Sequence, residues 1–190
     1  MAKLNRTGTY IAFAAEGGKK ITETDFRYYN LLKAWDSMKN REFRIINSHE
    51  KVRQIRPNSL EPTIMRTLKE RIAASKRFLL LVGDKTKEDD DFVPAEIIYA
   101  VEKCNLPIIV CYVNERNRIS GQVPQRLKNL WPPTLSKLIN SGELKTLHIP
   151  FREKILNEAL NNVSINQHPD YNISVYLDGV YNGLYPLGGI

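Results

Sequence analysis

Short apolar runs alternate along the chain with longer stretches whose apolar residues recur every three or four positions. Thr9-Tyr10-Ile11-Ala12-Phe13-Ala14 reads as a buried strand, followed by the turn-forming Glu16-Gly17-Gly18. Thr22 or Thr24 can then cap a helix to about Asn40, in which Tyr28, Leu31, Leu32, Trp35 and Met38 share one face. Arg44-Ile45-Ile46 is a brief second strand, and Asn47 to Asn58 a polar loop. Ser59 and Pro62 mark the start of another helix, striped by Leu60, Ile64, Leu68 and Ile72. The run Phe78-Leu79-Leu80-Leu81-Val82, closed by Gly83-Asp84, is a third strand. After it Phe92 to Ile97 opens a helix with Ile97, Ala100, Val101 and Cys104 at one-face spacing. Pro107 to Val113 is the most apolar strand of all.

Continuous apolar strands separated by amphipathic helices indicate an α/β fold with a parallel sheet covered on both faces. Thr146 to Ile149 makes a fifth strand and Phe151 to Asn162 a closing helix, with a less regular stretch from Asn114 to Leu144 before them. The expected architecture is three layers around a central, mostly parallel five-stranded sheet. In the tail, Asp178-Gly179 stands between Ile173–Leu177 and Val180–Tyr185, a pattern that predicts a C-terminal β-hairpin. The expected organisation is one domain over 1–165, with 166–190 as a hairpin extension packed upon it.

At 190 residues the chain can bury one sizeable core, and 42% hydrophobic with 26% charged residues excludes disorder. No apolar run reaches the roughly 18–20 residues that span a bilayer. The start, Met1 to Arg6, lacks the apolar core of a signal peptide. Cys104 and Cys111 read as buried free thiols, and with the absent leader they point to the cytoplasm. His49, His148 and His168 are scattered, so no metal site is expected. The formal charge of +7 suits an anionic partner, and Arg41 to Arg56 is the most basic stretch. Few aromatics lie there to stack bases, which argues against nucleic acid.

The chemistry-bearing candidates are few. Gly17-Gly18-Lys19-Lys20 is no phosphate loop: position 13 is Phe and position 20 is Lys where that motif needs Gly and a hydroxyl. It remains a turn, with Lys19 or Lys20 available to attract phosphate. No GxGxxG follows the first strand, which removes a classical dinucleotide fingerprint. Asp84, Asp89, Asp90 and Asp91 read as a solvated loop and helix cap. Glu96 stands out, a carboxylate after a buried strand at the head of a helix, where sheets of this kind bind ligands. Alternatively, it is a first-turn acid that offsets the helix dipole.

The order of these pieces resembles the TIR-like proteins of the bacterial Thoeris anti-phage system, a divergent branch of the Toll/interleukin-1 receptor domain superfamily. The resemblance covers about residues 9–160. It rests on Tyr10-Ile11-Ala12-Phe13-Ala14, Asp25-Phe26-Arg27 through Trp35, and Ser75-Lys76-Arg77 leading into Phe78–Gly83. Lys85-Thr86, Phe92-Val93-Pro94-Ala95-Glu96-Ile97 and Leu106 to Val110 complete it. Phe92-Val93 stands where many TIR domains have Trp-Cys, and Arg56-Pro57-Asn58 where a Pro-Gly pair is usual. The 114–144 insertion and the tail have no counterpart.

The resemblance implies a flavodoxin-like/TIR-like fold and cleavage of the nicotinamide–ribose bond of NAD. It implies Glu96, in an aromatic-x-x-x-Glu segment that begins at Phe92, as the catalytic carboxylate. NAD would be a substrate, with no permanently bound cofactor. Phe13 and Ala14 would floor the pocket beneath the ribose, or else pack as ordinary core. The product would be an ADP-ribose-derived, cyclic signalling nucleotide that activates a separate effector; a homo-oligomer and a phage-derived trigger belong to the same picture. The competing expectations are a catalytically silent TIR-like interaction module and a receiver- or flavodoxin-like signalling domain.

Overall fold

The computed structural model describes residues 6–14, 23–37, 45–46, 61–90 and 92–186, with the backbone alone for 23–26, 45–46 and 61–62. Its strands are β1 (Thr9–Ala12), β2 (Ile45–Ile46), β3 (Arg77–Val82), β4 (Ile108–Tyr112), β5 (Thr146–Pro150) and β6 (Ile173–Val175). The helices are α1 (Glu23–Asp36), α2 (Glu61–Ala74), α3 (Phe92–Ile98), α4 (Gln125–Lys128), α5 (Pro133–Asn140), α6 (Glu153–Asn162) and α7 (Asp178–Leu184). One six-stranded sheet has the order β2-β1-β3-β4-β5-β6, and every neighbouring pair is parallel. The first five strands follow the flavodoxin-like order, whose direction of progression reverses between β1 and β3.

Strand alternation divides the core into two layers. Tyr10, Ala12, Phe78, Leu80, Val82, Ile108 and Val110 face one side, under Leu68 and Ile72 of α2, Val93 and Ile97 of α3 and Leu135 of α5. Ile11, Phe13, Leu79, Leu81, Ile109 and Cys111 face the other, under Tyr28, Tyr29 and Leu32 of α1 and Ile155, Leu156 and Ala159 of α6. Both faces of the central strands are therefore dry, as their unbroken apolar runs demand. The inward face of α1 is turned relative to the sequence expectation. Tyr29 is fully buried, whereas Leu31 is 39% exposed, because α1 settles with Tyr28 and Leu32 at the centre of its stripe. Ser75 ends α2, its hydroxyl donating to the Arg71 carbonyl at 2.8 Å.

The tail departs from the expected hairpin. Ile173–Val175 is a parallel edge strand on β5, paired Thr146 to Ile173 through His148 to Val175. Asp178–Leu184 is α7, not a returning strand. Leu177, Val180, Tyr181 and Leu184 have helical spacing, and Tyr181 enters the second core layer fully buried. Its hydroxyl accepts from the Ile119 N–H at 3.4 Å and donates to the Ile119 carbonyl at 3.2 Å, tying the tail to the insertion. That insertion holds α4 and α5, and Ile119, Val123, Leu127, Trp131 and Leu135 anchor it in the first core layer.

Candidate active site

α3 follows β3 through a tight turn. The Thr86 hydroxyl accepts from the Gly83 N–H at 2.8 Å, and the Thr86 side chain is buried. Asp89 then accepts from the Val93 N–H at 3.3 Å, satisfying one of the backbone donors that a helix start leaves open. This makes Asp89 the capping acid, while Asp91 lies outside the described residues. α3 passes into a π-turn over Tyr99–Lys103 and stops at Asn105, which takes a left-handed φ of 50°. Asn is among the few non-glycine residues that accept that conformation readily.

Glu96 falls in the second turn of α3, which has no acid in its first turn. It is 1% exposed and shares the inward stripe with Val93, Ile97 and Ala100. The position at the head of the helix and the dipole-facing role expected from sequence are therefore both corrected. The helix opens at Phe92, so position 96 points at the sheet rather than at the open end of the helix. Burial pushes the Glu96 carboxyl up to about 8, with the nearby Asp89 charge adding to the rise and a hydrogen bond from Tyr10 opposing it. Desolvation dominates because a carboxylate loses most of its water shell in such surroundings.

The partner of Glu96 comes from β1. The Tyr10 hydroxyl donates to Glu96 Oε1 at 2.5 Å, while Oε2 is buried with no hydrogen-bond partner among the described residues. Tyr10 itself is fully buried, its ring stacked on Phe78 of β3 at 5.3 Å and 26°. Burial, then the adjacent Glu96, hold its phenol well above the ordinary tyrosine range, so it remains a donor. The pair thus joins the first strand to the helix after the third, with Tyr10 at the second position of β1 and opposite Phe78 at the second position of β3. Alternation along β1 puts Tyr10 on the Glu96 side, a signal already carried by the period of that strand in the sequence.

The other expected site residues are distributed unevenly. Phe92, one turn before Glu96, packs partly buried at the edge of the same core layer. Phe13 is 2% exposed but belongs to the opposite layer, its ring 5.3 Å from that of Tyr29. The sheet therefore does not bring Phe13 and Glu96 onto one wall, because neighbouring positions of an extended chain face opposite ways. Ala14 follows it, 3% exposed. Lys19 lies outside the described residues, as do Lys20 and the basic stretch except Ile45 and Ile46.

A polar chain crosses the carboxyl ends of the strands. Arg27 donates to the Tyr28 hydroxyl at 3.2 Å, which donates to Asn114 Oδ1 at 3.2 Å. The Asn114 amide in turn donates to Asp84 at 3.3 Å. These residues come from α1 and from the loops after β3 and β4, where switch-point ligands are met.

A second buried polar chain lies farther along the sheet. Trp131 Nε1 donates to the Tyr112 hydroxyl at 2.7 Å, which meets His148 Nδ1 at 2.8 Å. Thr146 Oγ1 lies 2.7 Å from His148 Nε2 and donates to the Asn172 carbonyl at 2.5 Å. The Thr146 proton is thus committed, so His148 carries its own proton on Nε2 and accepts at Nδ1. Burial lowers the His148 pKa to about 3, keeping it neutral. Its ring stacks 5.1 Å from Trp131, and the chain joins β4, β5, the insertion and Asn172 just before β6.

Cys104 and Cys111 are buried and free, in agreement with their sequence reading. Among the described residues no helix is long and apolar enough to cross a membrane. The family model described as the TIR-like domain of the Thoeris protein ThsB matches residues 10–118, more than half of the chain. The match spans Tyr10, the β1/β3 switch point, α3 and β4, and the chain belongs to that Thoeris TIR-like family.

Proposed function

We propose that this chain breaks the bond between nicotinamide and ribose in NAD, with Glu96 as the reacting carboxylate, and that its product is a nucleotide signal in anti-phage defence. The observation that carries this reading is a deeply buried acid, one oxygen of which has no hydrogen-bond partner among the described residues, in the aromatic-x-x-x-Glu segment of a Thoeris TIR-like domain. Acids whose ionisation is strongly perturbed by burial cluster at functional sites.

Nicotinamide in NAD leaves as a neutral molecule, carrying away the electron pair of the glycosidic bond. It needs no general acid. The ribose is left oxocarbenium-like, and an ionised Glu96 beside it stabilises that charge. The cationic pyridinium of bound NAD favours the ionised carboxylate, opposing the desolvation that holds it protonated in the free protein. Water attacking the anomeric carbon gives ADP-ribose and passes its proton to the carboxylate. Attack by the adenine or a ribose hydroxyl of the same molecule gives a cyclic isomer, which a separate effector protein would receive. Lys19 would meet the phosphates, and Ala14 and Phe92 would border the ribose.

One observation favours a second reading, a silent interaction module: Glu96 is 1% exposed and so does not meet solvent in this arrangement. Incubating the purified protein with NAD, alone and with extract of phage-infected cells, and separating the nucleotides distinguishes the two. The enzyme yields free nicotinamide with ADP-ribose or a cyclic isomer. A module leaves NAD intact under both conditions.

A further inference from the structure

We propose that Tyr10 is the positioning residue of this site: its hydroxyl holds Glu96 by Oε1 and leaves Oε2 as the oxygen that faces the ribose. This inference rests on the reading of Glu96 as the reacting carboxylate. The geometry behind it is specific. Tyr10 Oη lies 2.5 Å from Oε1, and the two side chains are 0% and 1% exposed. Stacking on Phe78 fixes the direction of the phenol, so the hydroxyl arrives at the carboxyl from the β1 side. Oε2 has no partner among the described residues, an arrangement that costs stability unless a ligand later uses the oxygen.

Among the described residues, the charged and titratable groups around this carboxyl are Tyr10 on β1, Asp89 in the loop before α3 and, through Tyr10, Arg71 on α2 and Tyr29 on α1. Of the first two, only Tyr10 donates to Glu96; Asp89 repels its charge. A hydrogen bond that strengthens with ionisation both orients the carboxylate and makes its charged form accessible. Tyr10 therefore acts on the reaction through Glu96 without touching substrate.

The test is the titration of Glu96, followed by NMR of protein carrying ¹³C-labelled glutamate, with the signal assigned by its loss in Glu96→Gln. Tyr10→Phe keeps the ring on Phe78 and should raise the titration midpoint by about one pH unit, the scale of one hydrogen bond to a charge. Replacing Tyr10 with a fluorinated, more acidic tyrosine should lower it, and this variant serves should Tyr10→Phe not fold. Opposite shifts support the assignment; a midpoint unmoved by the substitutions overturns it. In the active enzyme Tyr10→Phe should lower kcat with little change in KM and move the acidic limb of the pH profile upward. A loss of activity with an unshifted limb would mark a merely structural role and overturn the proposal. Nicotinamide release as fast in Glu96→Gln as in wild type would instead remove the reaction assigned to Glu96, without altering the titration.

Discussion

At the residue scale the buried Glu96 and His148 both make stability respond to pH, and they act in opposite directions. Glu96 has its carboxyl raised from 4.5 to about 8, so between those values the native state keeps a proton that the unfolded chain gives up. Its contribution is present below 4.5 and is lost as pH rises through 8. Glu96→Gln should therefore melt close to wild type at pH 5 and progressively above it towards pH 8.5, on the order of 1–3 kcal/mol at the upper end. Thermal unfolding of the pair across that range checks this. His148 is lowered from 6.5 to about 3, so the unfolded chain binds the proton first as pH falls. Its contribution is present above 6.5 and is lost towards 3. Wild type should lose on the order of 1–3 kcal/mol from this group between pH 6.5 and 4.5, and His148→Gln, less stable at pH 7, should show a flatter acid limb in the same melts. Both residues were visible in the sequence only as a lone acid and a lone histidine. Their partners lie 86 and 36 positions away, for Tyr10 with Glu96 and Tyr112 with His148. No local pattern encodes such pairings.

At the element scale the sequence is most legible where period and burial agree. The runs at Phe78–Val82 and Pro107–Val113 are strands buried on both faces, and the stripe Ile64, Leu68, Ile72 is the inner face of α2. It is least legible at α7. Asp178-Gly179 carries the signal of a hairpin turn, but Asp178 also suits the first turn of a helix, and Val180, Tyr181 and Leu184, packed inward at helical spacing, decide between them. The helix is still poorly optimised. Gly179 and Gly183 lie within it, and an added Cβ at either meets nothing within 4 Å. Gly179→Ala and Gly183→Ala should each stabilise the protein by about 0.5–1 kcal/mol, read as an upward shift of the denaturant midpoint at unchanged m-value. A hairpin at this place would give no such gain.

At the scale of the whole molecule the α/β class and the parallel sheet follow from the alternation of elements. The sixth strand and the way the insertion and tail join do not. Ile173–Val175 is only three residues long and half-buried, too short for periodicity to reveal. Tyr181, 62 positions from Ile119, makes the junction. Tyr181→Phe removes both hydrogen bonds to the Ile119 backbone and leaves those buried groups unpaired, which should cost about 1–3 kcal/mol and increase hydrogen exchange around Ile119. Equal exchange in wild type and variant would show that the tail does not brace the insertion. The candidate site follows the same rule: Glu96 was legible as a candidate from its segment, whereas its burial and its bond to Tyr10 emerge only once α3 is laid on the sheet.

The central claim, a buried Glu96 that serves NAD cleavage, is tested most directly by nicotinamide release. Wild type and Glu96→Gln are compared with NAD in the presence of extract from phage-infected cells, with untreated extract as background. Wild type should release nicotinamide above that background, and Glu96→Gln at a rate lower by about 100-fold or more while retaining its fold at pH 7. Equal release by the two proteins, or no release by wild type, would contradict the account.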